Sequence, residues 1–92
     1  MTLAADDTVD RIRARINELD EALVATINER LEIVAELFRH KLAHGLPLHD
    51  PGREAWLRRH LAESNAGPLS ADGVERLCTF VLDLTKEELA RD

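Results

Sequence analysis

Four side chains able to handle an anionic, hydroxylated ligand fall in one short stretch, "KLAHGLPLHDPGREAWLRRHL" (residues 41–61). They are Lys41, Asp50, Arg53 and Glu54, gathered around a loop that holds Gly45 and Pro47. Two readings compete. Asp50 directly before Pro51 is a helix N-cap followed by proline at the first helical position, with ordinary surface charge behind it. Alternatively the cluster is one wall of a polar pocket. Upstream, Arg30 and Lys41 are eleven residues apart, which at about 100° per residue puts them about 20° from alignment on one helix face. That face adjoins Leu23, Ile27, Val34 and Phe38. Burying an Arg and a Lys against an apolar stripe is costly without an anionic partner. Asp20 follows Arg13 by seven residues, again about 20° off. Arg13 and Arg30 are about 100° and about 25 Å apart on a straight helix, so one small ligand cannot touch both from one chain. In an antiparallel dimer, Arg13 of one chain could reach the site around Arg30 of the other.

The elements that must position these groups are helices. Apolar residues at Ile12, Ile16, Leu19, Leu23, Ile27, Leu31, Val34, Phe38 and Leu42 recur every three or four residues, with no Pro or Gly between them. Asp7 or Thr8 is the expected cap and Gly45 the expected end, giving about 35 residues and about 50 Å of helix. A compact chain of this length is only about 30 Å across, so the apolar overhang calls for a second copy. A second helix starts at the Asp50 cap and stops at "NAGP" (residues 65–68), with Trp56, Leu57, His60 and Leu61 as its expected buried side. A third starts at the Ser70 cap, with Val74, Leu77, Cys78, Val81, Leu84 and Thr85 at helical spacing. No strand signal or internal repeat is present. The expected fold is all-α, with one long, one short and one medium helix in a single domain, 1–92, in which residues 1–8 form a flexible tail.

Composition narrows the function. The 92 residues carry a net charge of −6, which argues against general nucleic-acid binding. Aromatics are 3% with no tyrosine, so bases have little to stack on. Ten arginines against two lysines favour the planar fork that grips carboxylates or phosphates. The single cysteine, Cys78, excludes an internal disulfide and zinc-ribbon spacing. The start lacks a signal-peptide pattern, and no run reaches the ~18 apolar residues of a membrane span. A cytoplasmic protein without membrane association is expected.

The ordered set Arg13, Asp20, Arg30, Lys41, Asp50, Arg53 and Glu54 resembles the small all-helical (type II) chorismate mutases. The resemblance covers roughly residues 9 to 89 and rests on "RARINELDEALVATINERLEIVAELFRHK", "DPGREAWL", "NAGPLS" and their spacing. It implies an intertwined homodimer with two sites, no cofactor and a dicarboxylate substrate. By the same resemblance Arg13 crosses from the partner to hold one carboxylate, and Arg30 holds the other. Lys41 donates to the ether oxygen whose bond breaks, Asp50 and Glu54 hold the ring hydroxyl, and Arg53 assists a carboxylate. Chorismate rearranges to prephenate in one unimolecular pericyclic step, so orientation and fixed charge suffice and no nucleophile or metal is needed. A lysine at the ether oxygen acts where negative charge develops, so it favours the transition state.

The sequence departs from the family in one place. The family carries Gln, sometimes Glu, late in the third helix as a second contact to the ether oxygen. Here that position is Leu89, with Thr85 one turn earlier and Glu88 rotated by about 100°. If Leu89 occupies that position one donor is missing, which by analogy with an oxyanion-type donor costs a few kcal/mol of barrier stabilisation, roughly 3; Glu88 or a water is the alternative donor. Related chemistry remains open: a lyase or mutase acting on isochorismate or 4-amino-4-deoxychorismate, or a non-catalytic dimerisation or regulatory module. An activating partner enzyme, the pathway branch and feedback regulation leave no mark in the sequence. Elsewhere, His40 and His44 at i, i+4 with Glu36 lack a zinc-enzyme pattern and read as solvated groups at a helix end, so no metal is expected. Cys78 reads as a core thiol, Trp56 as packing between the first two helices, and Arg58 and Arg59 as a solvated face.

Overall fold

A computed structural model describes the backbone of residues 3–91 and the side chains of residues 6–91. Its elements are three helices: α1 (Leu3–Ala43), α2 (Pro51–Ser64) and α3 (Ala71–Leu89). Among the described residues there is no strand, and no helix is long and apolar enough to cross a membrane. The long, short and medium helices are those the periodicity predicts. Of the segment 1–8, residues 1 and 2 lie outside the described residues, while Leu3 to Thr8 form the first turns of α1. The helix thus starts upstream of the expected Asp7 or Thr8 cap. Ala4 and Ala5 are strong helix formers, and Asp6 sits in the first turn where it complements the helix dipole.

The chain divides into two compact units, Met1–Ile33 and Val34–Asp92, each taken separately below. The first unit is a length of α1 whose apolar stripe faces solvent: Val9, Ile12, Ile16, Leu19 and Leu23 are 43–58% exposed. Toward its end Ile27, Arg30 and Leu31 are half-buried.

In the second unit α1 ends by a defined hydrogen-bond pattern. Leu46 N–H donates to the Lys41 carbonyl at 2.8 Å, and Gly45 N–H to the Leu42 carbonyl at 3.4 Å. This is a Schellman turn, and it needs a left-handed residue at its centre; Gly45 has φ of 65°. After the loop, Asp50 caps α2 by accepting Arg53 N–H on Oδ1 at 3.0 Å, with Pro51 opening the helix. Asn65 then closes the turn between helices, donating from Nδ2 to the Leu69 carbonyl at 2.7 Å and accepting Gly67 N–H on Oδ1. Ser70 Oγ accepts Gly73 N–H at 2.9 Å and starts α3.

Helices α2 and α3 run antiparallel, since Glu54 meets Lys86 while Arg58 meets Glu75 and Thr79. Val74, Cys78 and Thr85 of α3 are buried, and Val81 between them is half-buried, so one stripe at helical spacing forms the core. From α2, Glu54, Leu57, Arg58 and Leu61 are the half-buried residues. Cys78, 2% exposed, is the core thiol the sequence suggested.

Two expectations need correction. Of the residues expected on the buried side of α2, Trp56 and His60 are exposed, Trp56 by 41%. One residue from Leu57, Trp56 is rotated by about 100°, onto the face of Arg53 and His60. There the Arg53 guanidinium lies 4.3 Å over its ring and His60 stacks on it at 4.5 Å. Arg58 is not merely solvated: its Nη1 pairs with Glu75 and donates to Thr79 Oγ1 at 3.0 Å, tying α2 to α3.

Candidate active site

The seven-membered set and the two α3 positions divide between the two units. In the first unit Arg13 and Asp20 are exposed and Arg30 is half-buried. The nearby Arg15 pairs with Glu18 at 3.1 Å, a surface pair within one turn. The remaining groups belong to the second unit. Lys41 is half-buried in the last turn of α1, and its carbonyl is held by the Leu46 N–H.

Asp50 and Arg53 meet through the α2 cap, yet their side chains do different things. Asp50 carboxylate binds the backbone of the first turn. Arg53 turns its guanidinium onto Trp56, where its charge meets the ring face. Glu54, one residue on, points to α3 instead. Its Oε1 accepts from Lys86 Nζ at 2.9 Å. The carboxyl is held below the ordinary carboxylate range, first by that hydrogen bond. Partial desolvation opposes the shift, and the charges of Lys86, His49 and Arg58 add to it.

Lys86 also lines a cleft of about 320 Å³, together with Phe38, Leu48, His49, Leu89 and Ala90. The volume lies at the small end of the range for sites that take small molecules. Its apolar floor is Phe38, Leu48 and Leu89, and its polar groups are basic. Such a cleft can hold and orient an anionic, partly apolar molecule. Leu89 thus lines a cavity. The neighbouring Glu88 pairs through its carboxylate with Arg91 Nε at 2.7 Å. Thr85 is buried, and its Oγ1 donates to the Val81 carbonyl at 2.7 Å, a bond back along its own helix.

Lys86 is the functional candidate that the sequence reading missed. It lies between Thr85 and Leu89, both singled out there, and three residues before Leu89, hence on nearly the same helix face. Helical angle from Leu89 was the signal that could have found it. The His40 and His44 rings stack at 4.2 Å, with His44 Nδ1 donating to the His40 carbonyl at 2.9 Å. Among the described residues no three His, Cys, Asp or Glu side chains gather as a ligand set.

Comparison with known proteins bears on this arrangement. The profile of the family described as "Chorismate mutase type II" matches residues 12–89. A bifunctional chorismate mutase/prephenate dehydratase from Pseudomonas aeruginosa is 38% identical over 80 residues, covering 82% of this chain and 22% of that protein. The T-protein of Haemophilus influenzae is 37% identical over 65 residues, covering 70% of this chain and 17% of that protein. A 4-amino-4-deoxychorismate mutase from Streptomyces venezuelae is 28% identical over 60 residues, covering 65% of this chain and 58% of that protein. The chain thus spans about a fifth of the length of these first two relatives. No solved structure matches it significantly.

Proposed function

The chain belongs to the chorismate mutase type II family, and from that premise we propose that it converts chorismate to prephenate, as a cytoplasmic homodimer. The observation that carries the reading is the match over residues 12–89, an interval that includes every proposed site residue from Arg13 to Leu89. In this reading Arg30 holds one substrate carboxylate and Arg13 of the partner chain the other, assisted by Arg53. Fixed cations suit a dianion, and they hold it in the compact conformer that reacts. Lys41 donates to the ether oxygen as the bond breaks and charge separates. Asp50 and Glu54 accept from the ring hydroxyl. No proton leaves the substrate and no covalent intermediate forms, so the protein contributes orientation and a preset field.

Several features support these roles. The half-buried Lys41 sits at a turn whose backbone is fixed by Leu46 and Gly45, so its ammonium is delivered from a rigid base. The basic, apolar-floored cleft at Leu89 suits an anionic carbocycle. The exposed stripe of α1 offers the apolar face that an intertwined dimer would bury. With leucine at residue 89 the ether oxygen receives one donor fewer, so a slow enzyme is expected, short by about 3 kcal/mol of stabilisation.

The test is loss of chorismate absorbance with formation of prephenate by purified protein. A rate at millimolar chorismate equal to the uncatalysed background would end the proposal. The similarity to a 4-amino-4-deoxychorismate mutase supports a second reading on the same scaffold, with a ring amine in place of the hydroxyl. Competition between the two substrates separates them.

A further inference from the structure

Glu54 is one of the two acidic groups that the mutase reading assigns to the ring substituent; the other, Asp50, also caps α2, while the partner of Glu54 bears on which substituent fits. Glu54 Oε1 lies 2.9 Å from Lys86 Nζ. Lys86 lines the cleft itself, as does His49, and none of the residues lining that cleft is acidic. We infer that Lys86 is a specificity-determining residue: by compensating Glu54 it fits the site to a ring hydroxyl and disfavours a ring ammonium. The inference rests on the mutase reading above and deepens it.

The chemistry follows from the two substituents. A hydroxyl is neutral and donates one hydrogen bond. It can use Glu54 Oε2 while Oε1 stays with Lys86, so a compensated carboxylate serves it fully. The amine of 4-amino-4-deoxychorismate is an alkyl amine and carries a positive charge at neutral pH. To bind there it must share one carboxylate with the Lys86 ammonium, with like charges side by side in a partly desolvated cleft. Removing the lysine charge frees the carboxylate and removes the repulsion in one step.

The alternative is that the pair only fastens α2 to α3, and the experiment separates the two. The measured quantity is the ratio of kcat/KM for 4-amino-4-deoxychorismate to that for chorismate. Lys86→Met and Lys86→Gln should raise this ratio by about tenfold, since each removes the like charge beside the bound ammonium. Lys86→Arg, which keeps the charge, should leave it within about twofold of wild type. Glu75→Gln removes the other ion pair between the helices and should leave the ratio unchanged, so it reports any effect of looser packing alone. Lys86 is 54% exposed at its side chain, so its variants are expected to fold. An active wild type whose ratio does not move in both Lys86→Met and Lys86→Gln overturns the inference and leaves the mutase reading intact. An equal shift in Glu75→Gln overturns it as well. A wild type that converts neither substrate overturns the mutase reading and this inference with it.

Discussion

Lys41 and Glu54 illustrate how much of a side chain's role is set by its immediate neighbours. Lys41 is half-buried at the end of α1, and its amino group is proposed to meet the oxygen that gains charge. Lys41→Ala should lower kcat about 100- to 1,000-fold, the range for one lost oxyanion-type donor. Unfolding free energy from urea melts should change by less than about 1 kcal/mol. Comparable losses of rate and stability would count against a direct role. For Glu54 the folded pKa is depressed, so its pair with Lys86 stabilises the fold above the unfolded carboxyl pKa. That stability is lost as the pH falls through the lowered folded value. Lys86 is more than half exposed, so screening keeps the contribution under about 1 kcal/mol. Urea melts across acid pH should show the gap between wild type and Glu54→Gln closing as the pH drops; a gap constant with pH would deny the pair this role. Residue types marked Lys41, Asp50 and Glu54 in the sequence, but not which helix face meets which. Lys86 escaped notice and Arg58 read as a solvated group for that reason, because their partners lie across the α2–α3 seam and only packing reveals them.

At the scale of elements the sequence was nearly transparent, because helix ends carry local chemistry. Asp50 before Pro51, and Ser70 before "ADG", are caps that act on backbone within three residues, and both form as read. Gly45 is the clearest case. Its φ of 65° lies in the region where a Cβ is strained, and nothing stands within 4 Å of the place where one would go. Strain, not space, then decides a substitution. Gly45→Ala should cost about 1 kcal/mol. For a chain of this size that lowers Tm by about 4–8 °C. Gly45→Asn should cost less, since asparagine tolerates the left-handed region. Thermal unfolding of the three proteins checks the order, and an Ala variant as stable as wild type would contradict it. The start of α1 was the least legible boundary. Ala4 and Ala5 extend a helix as readily as they precede one, and no cap side chain forces a start at Asp7 or Thr8.

The whole molecule is where sequence and a single chain say least, since a partner leaves its mark only as surface that ought to be covered. The stripe from Val9 to Leu23 is such a surface. If Arg13 serves the site of the other chain, Arg13→Ala and Arg30→Ala enzymes should each be nearly inactive. Mixed and refolded together, they should recover up to about a quarter of wild-type activity, because in the heterodimer one site is intact and one lacks both arginines. No recovery after confirmed heterodimer formation would sink the crossed arrangement. The stripe also bears on the helix that carries it. Among residues 6–33 no side chain is buried, and a helix without tertiary cover is only marginally stable in water. The backbone hydrogen bonds of residues 8–26 should then be lent by assembly. Their amide protons should exchange slowly in concentrated solution and quickly on dilution, while those of Val74 to Thr85 hold at both. Exchange rates at two protein concentrations read this directly, and slow exchange of residues 8–26 at every concentration would show that the helix stands by itself.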